Sequence, residues 1–156
     1  MPDPSRPGRD VIDPDVDVDD PGQRADVGRR EALTLAVIAA GGALGAEARY
    51  GLSTAWPHGN AAWPWATVLT NLVGSFLLGV LMITVERRSP HHLVRPFLGV
   101  GVLGGFTTFS TFALDLHHLL DAGRPLVGLG YAAASLFGCV AATALAVLAT
   151  RRVVAA

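Results

Sequence analysis

The chain has 156 residues, 51% of them hydrophobic and 16% charged, with a mean hydropathy of +0.41 and a formal net charge of -1. The charges are uneven: residues 1–31 hold nine acids and five arginines, a net of -4, while the other 125 residues hold only seven arginines and four acids. An ordinary soluble domain is about 25% charged, so this body has a membrane-protein composition. The single cysteine, Cys139, excludes a disulfide scaffold and a cysteine-based zinc site, and a barely cationic body argues against a nucleic-acid binder.

Residues 1–31 alternate Pro, Asp, Gly and Arg without helical or strand period, and such a stretch buries too little apolar surface to offset the entropy of ordering. It is expected to be a disordered acidic tail. It has no basic start, apolar middle and small-residue cleavage site, so it does not read as a secretory signal. Residues 32–156 form the predicted four-helix domain.

Four apolar stretches follow, roughly 32–54, 65–85, 94–120 and 125–149, each about the 20 residues that a bilayer-crossing helix requires. The first linker carries Trp56, Pro57, His58, Gly59, Asn60, Trp63, Pro64 and Trp65, a turn cluster among tryptophans that suits the headgroup level. The second linker runs through Glu86, Arg87, Arg88 and Pro90. The third is a tight turn, with Gly123 and with Pro125 at the first position of the next helix.

Four spans put both termini on one side. Arg24, Arg29, Arg30, Arg87, Arg88, Arg95, Arg151 and Arg152 share that side, against Arg49 and Arg124 on the other. The positive-inside rule makes it cytoplasmic. Small residues recur at four-residue spacing (Gly41 and Gly45, Ser75 and Gly79, Gly101 and Gly105, Ala134 and Gly138), which lets helix backbones approach closely in lipid. Four such helices make a thin bundle, so a pathway across the membrane calls for a second subunit.

The third span is the most informative. Gly99, Gly101, Gly104 and Gly105 are followed by Thr107, Thr108, Ser110 and Thr111, a composition that argues for a break in the helix. Unwound backbone at membrane depth is tolerated where it is buried in protein or lines a polar cavity. Its freed carbonyls suit a small cation and the adjoining helix ends suit an anion, which makes the break a candidate ion site.

Phe109 and Phe112 lie three residues apart among these hydroxyls, and phenyl edges attract a small anion without carrying charge. Asn71, mid-way along the second span, must face protein or water; an interhelical hydrogen bond is its alternative role. Tyr131 and Ser135, one helical turn apart, offer further hydroxyls. Arg49 near a pore mouth would concentrate anions, with Glu47 as its neutraliser or an interfacial charge. The five histidines fall in or near linkers, and a shared face for Asp115 and His118 is weak support for a metal. No nucleophile–base pair, Walker loop or dinucleotide fingerprint is present, so an enzyme is not expected.

At these residues the chain resembles the CrcB/Fluc family of bacterial fluoride channels. The likeness lies in three blocks: residues 41–50, residues 67–74 around Asn71, and Gly104-Gly105-Phe106-Thr107-Thr108-Phe109-Ser110-Thr111-Phe112. The resemblance implies an all-α membrane protein that pairs two oppositely oriented four-helix subunits, with two fluoride pathways and one central sodium ion. It implies Na+ on the backbone carbonyls of Gly104 and Thr107. The implied fluoride pathway comprises Asn71, Phe109, Phe112, Tyr131 and Ser135, with Ser110 and Thr111 as neighbouring hydroxyls and Arg49 at the vestibule. The expected activity is passive export of fluoride across the bacterial plasma membrane.

The arginine bias of eight to two departs from the near balance of a subunit that inserts both ways, and points to an oppositely oriented paralogue as partner. Two rival readings stand beside the channel. One is a small proton-coupled exporter with Glu47 as its membrane carboxylate; the other is a non-conducting accessory subunit.

Overall fold

The computed structural model describes residues 21–88 and 91–155, and every regular element among them is helical. Helix α1 spans Pro21–Ala55 and α2 spans Trp65–Arg88. A π-helical stretch, Arg95–Leu103, runs directly into the single turn α3, Gly104–Phe106; then come α4, Ser110–Asp121, and α5, Pro125–Ala155. Four helical stretches are long and apolar enough to cross a bilayer: Gly28–Ala55, Trp65–Arg88, Arg95–Asp121 and Pro125–Val154. The fold is therefore all-α with four candidate spans.

Two local features differ from the sequence reading. Residues 21–31, expected to be part of an irregular tail, are helical; residues 1–20 of that expected tail lie outside the described residues. Pro21 suits a first helical position, and the Gln, Arg, Ala and Glu residues that follow are good helix formers that a search for apolar periodicity passes over. The third span also opens in π geometry. Its backbone is wide enough that the Gly104 N–H reaches the Gly99 carbonyl, five residues back.

Helix approach is set by glycines. A Cβ on Gly101 would lie 2.9 Å from the Ile38 carbonyl and 3.0 Å from the Gly41 Cα, and one on Gly45 would collide with the Val102 carbonyl. Between α2 and α5, a Cβ on Gly79 would lie 2.9 Å from both the Ala146 Cβ and the Thr143 carbonyl. Across this pair the Thr143 hydroxyl donates to the Ser75 carbonyl at 3.2 Å. In lipid, where hydrocarbon competes equally for apolar side chains, this backbone-to-backbone contact and its hydrogen bonds hold the spans together. Outward from it, Phe137, Val140 and Leu145 on α5 are each more than 60% exposed, as suits a surface solvated by acyl chains.

The largest buried side chain is Tyr131, which packs in one cluster with Val68 and Leu119, flanked by Trp63, Phe112 and Leu116. The turn between α4 and α5 closes this end. The Gly123 N–H donates to the Leu120 carbonyl and the Arg124 N–H to the Leu119 carbonyl, the two bonds of a Schellman cap. Gly123 takes the positive φ of 71° that the cap requires.

Candidate functional site

The chain leaves helical geometry after Phe106: Thr107 is extended, with ψ 157°, and α4 starts afresh at Ser110. Asn71 on α2 meets this interruption with both ends of its carboxamide. Its Nδ2 donates to the Thr108 carbonyl at 2.9 Å, and its Oδ1 accepts the Thr108 N–H at 2.8 Å. An amide side chain thus replaces the backbone partners that a continuous helix would have supplied, which is how exposed peptide groups are tolerated in a hydrocarbon setting.

Hydroxyls complete the repair. Thr108 Oγ1 accepts the Thr111 N–H at 3.1 Å and donates to Thr111 Oγ1 at 3.0 Å, while Ser110 Oγ lies 3.3 Å away. Upstream, the Leu103 carbonyl receives both the Thr107 N–H and the Thr107 hydroxyl, each at 3.0 Å. Arg49 Nε donates to the Gly105 carbonyl at 3.1 Å, placing a cation at the negative end of the short α3 turn.

These bonds divert amides away from two particular carbonyls. The Thr108 N–H, which in a continuous helix would serve Gly104 O, goes to Asn71, and the Thr111 N–H, which would serve Thr107 O, goes to the Thr108 hydroxyl. Gly104 O and Thr107 O, three residues apart, thereby lose the amides that a continuous helix would have given them and are hard oxygen donors. This donor type fits an alkali or alkaline-earth cation rather than a soft metal. Two carbonyls do not fill a coordination shell, so further oxygens must come from elsewhere. Among the described residues no group of three or more His, Cys, Asp or Glu is arranged to hold a metal ion.

Two cavities flank the interruption. The larger, about 570 Å³, is lined by Asn71, Ser75, Thr108, Phe109, Phe112, Ser135 and Cys139 among others, and has no ionisable acid or base in its wall other than the thiol. Ser135 Oγ is buried there without a hydrogen-bond partner among the described residues, a polar group that calls for a ligand or water. The second, about 330 Å³, lies toward α1 and is lined by Glu47, Arg49, Tyr50, Thr67, Thr70, Thr108 and Thr111 among others. Thr108 borders both.

Aromatic rings form a row beside the larger cavity. Phe109 and Phe112 have centroids 5.7 Å apart, and Phe112 and Tyr131 5.1 Å, tilted at 38° and 33°. Phe109 is 80% exposed in the single chain, whereas Tyr131 is fully buried. Most of the residues singled out from sequence therefore meet around one interruption: Asn71, Thr107, Thr108, Phe109, Ser110, Thr111, Phe112 and Ser135, with Arg49 behind them. Tyr131 is placed differently. Its hydroxyl donates to Asp115 Oδ2 at 3.4 Å and its ring is stacked behind Phe112, so it backs the wall of the cavity without lining it.

Asp115, which spacing paired only with His118, instead has Thr67, Tyr131 and His58 as partners. It is the one buried acid among the described residues, 6% exposed, and its Oδ2 also accepts the Thr67 hydroxyl at 2.6 Å. The signal was an ionisable residue within an apolar span. Its hydroxyl partners sit 48 residues upstream and 16 downstream, beyond the reach of any helical periodicity.

The chain is similar in sequence to known proteins. The family described as "CrcB-like protein, Camphor Resistance (CrcB)" matches residues 36–147. A relative from Streptomyces avermitilis named "Fluoride-specific ion channel FluC 2" is 45% identical over 127 residues, covering 81% of this chain and 80% of the relative. "Fluoride-specific ion channel FluC 1" of Streptomyces coelicolor is 48% identical over 126 residues, covering 80% and 82%. "Fluoride-specific ion channel FluC 2" of Thermobifida fusca is 53% identical over 117 residues, covering 74% and 87%. The chain belongs to the CrcB family.

Proposed function

We propose that this CrcB-family chain is a subunit of a fluoride-selective channel of the bacterial cell membrane. It lets fluoride leave the cytoplasm passively, down its electrochemical gradient, and it is a conduit rather than an enzyme. The observation that carries the reading is the larger cavity, where Asn71, Ser135, Phe109 and Phe112 converge on the Thr107–Phe109 interruption without a fixed cation. Fluoride is compact and strongly hydrated. A pore for it must exchange water for short hydrogen bonds, yet hold the ion loosely enough to release it.

The candidate donors are the Ser135 hydroxyl, the Asn71 amide and the Ser110 and Phe112 N–H groups at the start of α4, with phenyl edges from Phe109 and Phe112 adding attraction at no charge. A deep arginine or lysine would trap the anion; Arg49 is instead occupied by the Gly105 carbonyl and stands in the neighbouring cavity. Its place there suits a vestibule that raises the local anion concentration.

The residues also fit a sodium ion as the structural cation. Gly104 O and Thr107 O would hold it, with matching carbonyls from a second, oppositely oriented subunit completing the shell. Bound there, sodium would supply a fixed positive charge joining the two interrupted spans. The second subunit is a copy of this chain or, given the arginine bias, a paralogue of opposite orientation.

Fluoride efflux from liposomes containing the purified protein, followed with a fluoride electrode, tests the reading. The expected result is fluoride release well above chloride release; equal release of both halides, or none with both candidate subunits present, contradicts it.

A further inference from the structure

Asp115 does not line either of the two cavities described above, yet it ties together three elements that surround them. Its Oδ2 receives Thr67 from α2 and Tyr131 from α5. Its Oδ1 faces His58 Nε2 at 3.7 Å, from the linker between α1 and α2. The carboxylate side chain is 7% exposed and the imidazole 24%. At that separation a neutral imidazole makes no useful hydrogen bond, whereas an imidazolium is within ion-pair reach of a carboxylate with little water around it. Histidine is the side chain whose charge changes between about pH 5 and 8.

The linker carrying His58 has two other attachments to the same end of the molecule. Trp63 packs edge-on against Tyr131, with centroids 5.9 Å apart and planes at 84°, and the Arg124 guanidinium donates to the Ala61 carbonyl. Neither attachment changes charge in the histidine range. Tyr131 in turn backs Phe112, whose ring lines the larger cavity. An unbroken series of contacts thus runs from His58 through Asp115 and Tyr131 to the proposed anion pathway.

We propose that His58 is a positioning residue: in its charged form it draws the linker onto Asp115 and steadies the Tyr131–Phe112 stack, so that conduction rises as pH falls. This rests on the channel reading and adds an acid-responsive residue to it. Other charged and titratable groups lie on the elements packed around the contact, and the His58 variants below separate their response from that of His58. Thr67 of α2 is uncharged, and beyond it Glu47 and Arg49 of α1 face the second cavity. On α4, His117 pairs with Asp121 at 3.2 Å on the exposed surface, and His118 follows it in the last turn. Arg124 is engaged by Ala61. Acid is also when weakly acidic HF enters a cell fastest, so the sign matches the demand.

The test combines two measurements on the full chain at about pH 5.5 and about pH 8, chosen to bracket histidine titration. The first is hydrogen exchange of residues 56–64 in the purified protein, corrected for intrinsic exchange rates. The second is fluoride efflux from liposomes, with the leak of protein-free vesicles subtracted. The wild type should show greater linker protection and about threefold faster efflux at the lower pH, the scale of one partly exposed ion pair. His58→Gln should hold both readouts at the wild-type pH 8 level, and His58→Lys, which keeps a cation, should hold both near the pH 5.5 level. Wild-type protection that ignores pH, or a His58→Gln protein that keeps the full pH response, overturns the proposal. Absence of efflux at either pH overturns the channel reading instead, and the exchange data still decide whether His58 clamps the linker.

Discussion

Asn71 and Thr108 form a reciprocal pair, the side-chain amide of one bonded at 2.9 Å and 2.8 Å to the backbone C=O and N–H of the other. This pair lets α2 hold open an interruption in the neighbouring span without stranding peptide groups in hydrocarbon. It also diverts the amide that Gly104 O would otherwise receive, so one side chain supports both the anion cavity and the proposed cation donors.

Asn71→Ala removes both bonds and leaves the Thr108 N–H and carbonyl without partners. Each buried orphan costs about 1–3 kcal/mol. Thermal unfolding in detergent should show the lost stability, and fluoride efflux should fall by about tenfold or more, since a 1.4 kcal/mol change is a tenfold effect.

Phe112→Ile keeps an apolar side chain but deletes the ring between Phe109 and Tyr131. Each aromatic pair is worth about 0.5–1.5 kcal/mol beyond area, so the protein should still fold with a modest drop in melting temperature. Fluoride efflux should be nearly abolished, because an aliphatic group offers no positive edge to the ion. Efflux at the wild-type rate would remove the phenyl edge from the account.

Gly45→Ala tests the helix contact. Its Cβ would meet the Val102 carbonyl and, 2.8 Å away, the Phe106 nitrogen, backbone atoms that cannot rotate aside. A loss of about 1–3 kcal/mol is expected, as for other overpacked contacts. Gly42, where a Cβ meets nothing within 4 Å, is the control, and Gly42→Ala should unfold at the wild-type temperature.

Glu47→Gln separates the channel from a proton-coupled exporter. Glu47 is exposed in the single chain and borders the cavity that holds Arg49. Neutralising it should leave fluoride efflux within about twofold of wild type, since it is not among the proposed anion donors. An exporter that used it as the membrane carboxylate would stop.

The arginine distribution gives a prediction about assembly. Expressed alone, the chain should insert with both termini on the cytoplasmic side, as reagent accessibility of tags at the two ends would show. Comparable populations in both orientations, or full activity without a second gene product, would favour a self-paired subunit.

The four spans were legible from length and apolarity alone, and the glycine and hydroxyl run marked the place where the third one leaves helical geometry. The start of α1 was not, because residues 21–31 are polar and a helix of good formers has no apolar stripe to betray it. Nor was the role of Asn71 as partner of Thr108, because residue type shows that an amide must be satisfied but not by what. The π geometry of Arg95–Leu103 and the gathering of His58, Thr67 and Tyr131 on Asp115 depend on how spans pack side by side. Local sequence does not encode those distances.

The most direct measurement is halide selectivity in liposomes that carry the wild-type protein with whichever subunit completes it. The account predicts rapid fluoride release with chloride release at the level of empty vesicles, because short hydrogen bonds and phenyl edges replace the water of a compact ion but cannot enclose a larger one. Chloride leaving as fast as fluoride would contradict it.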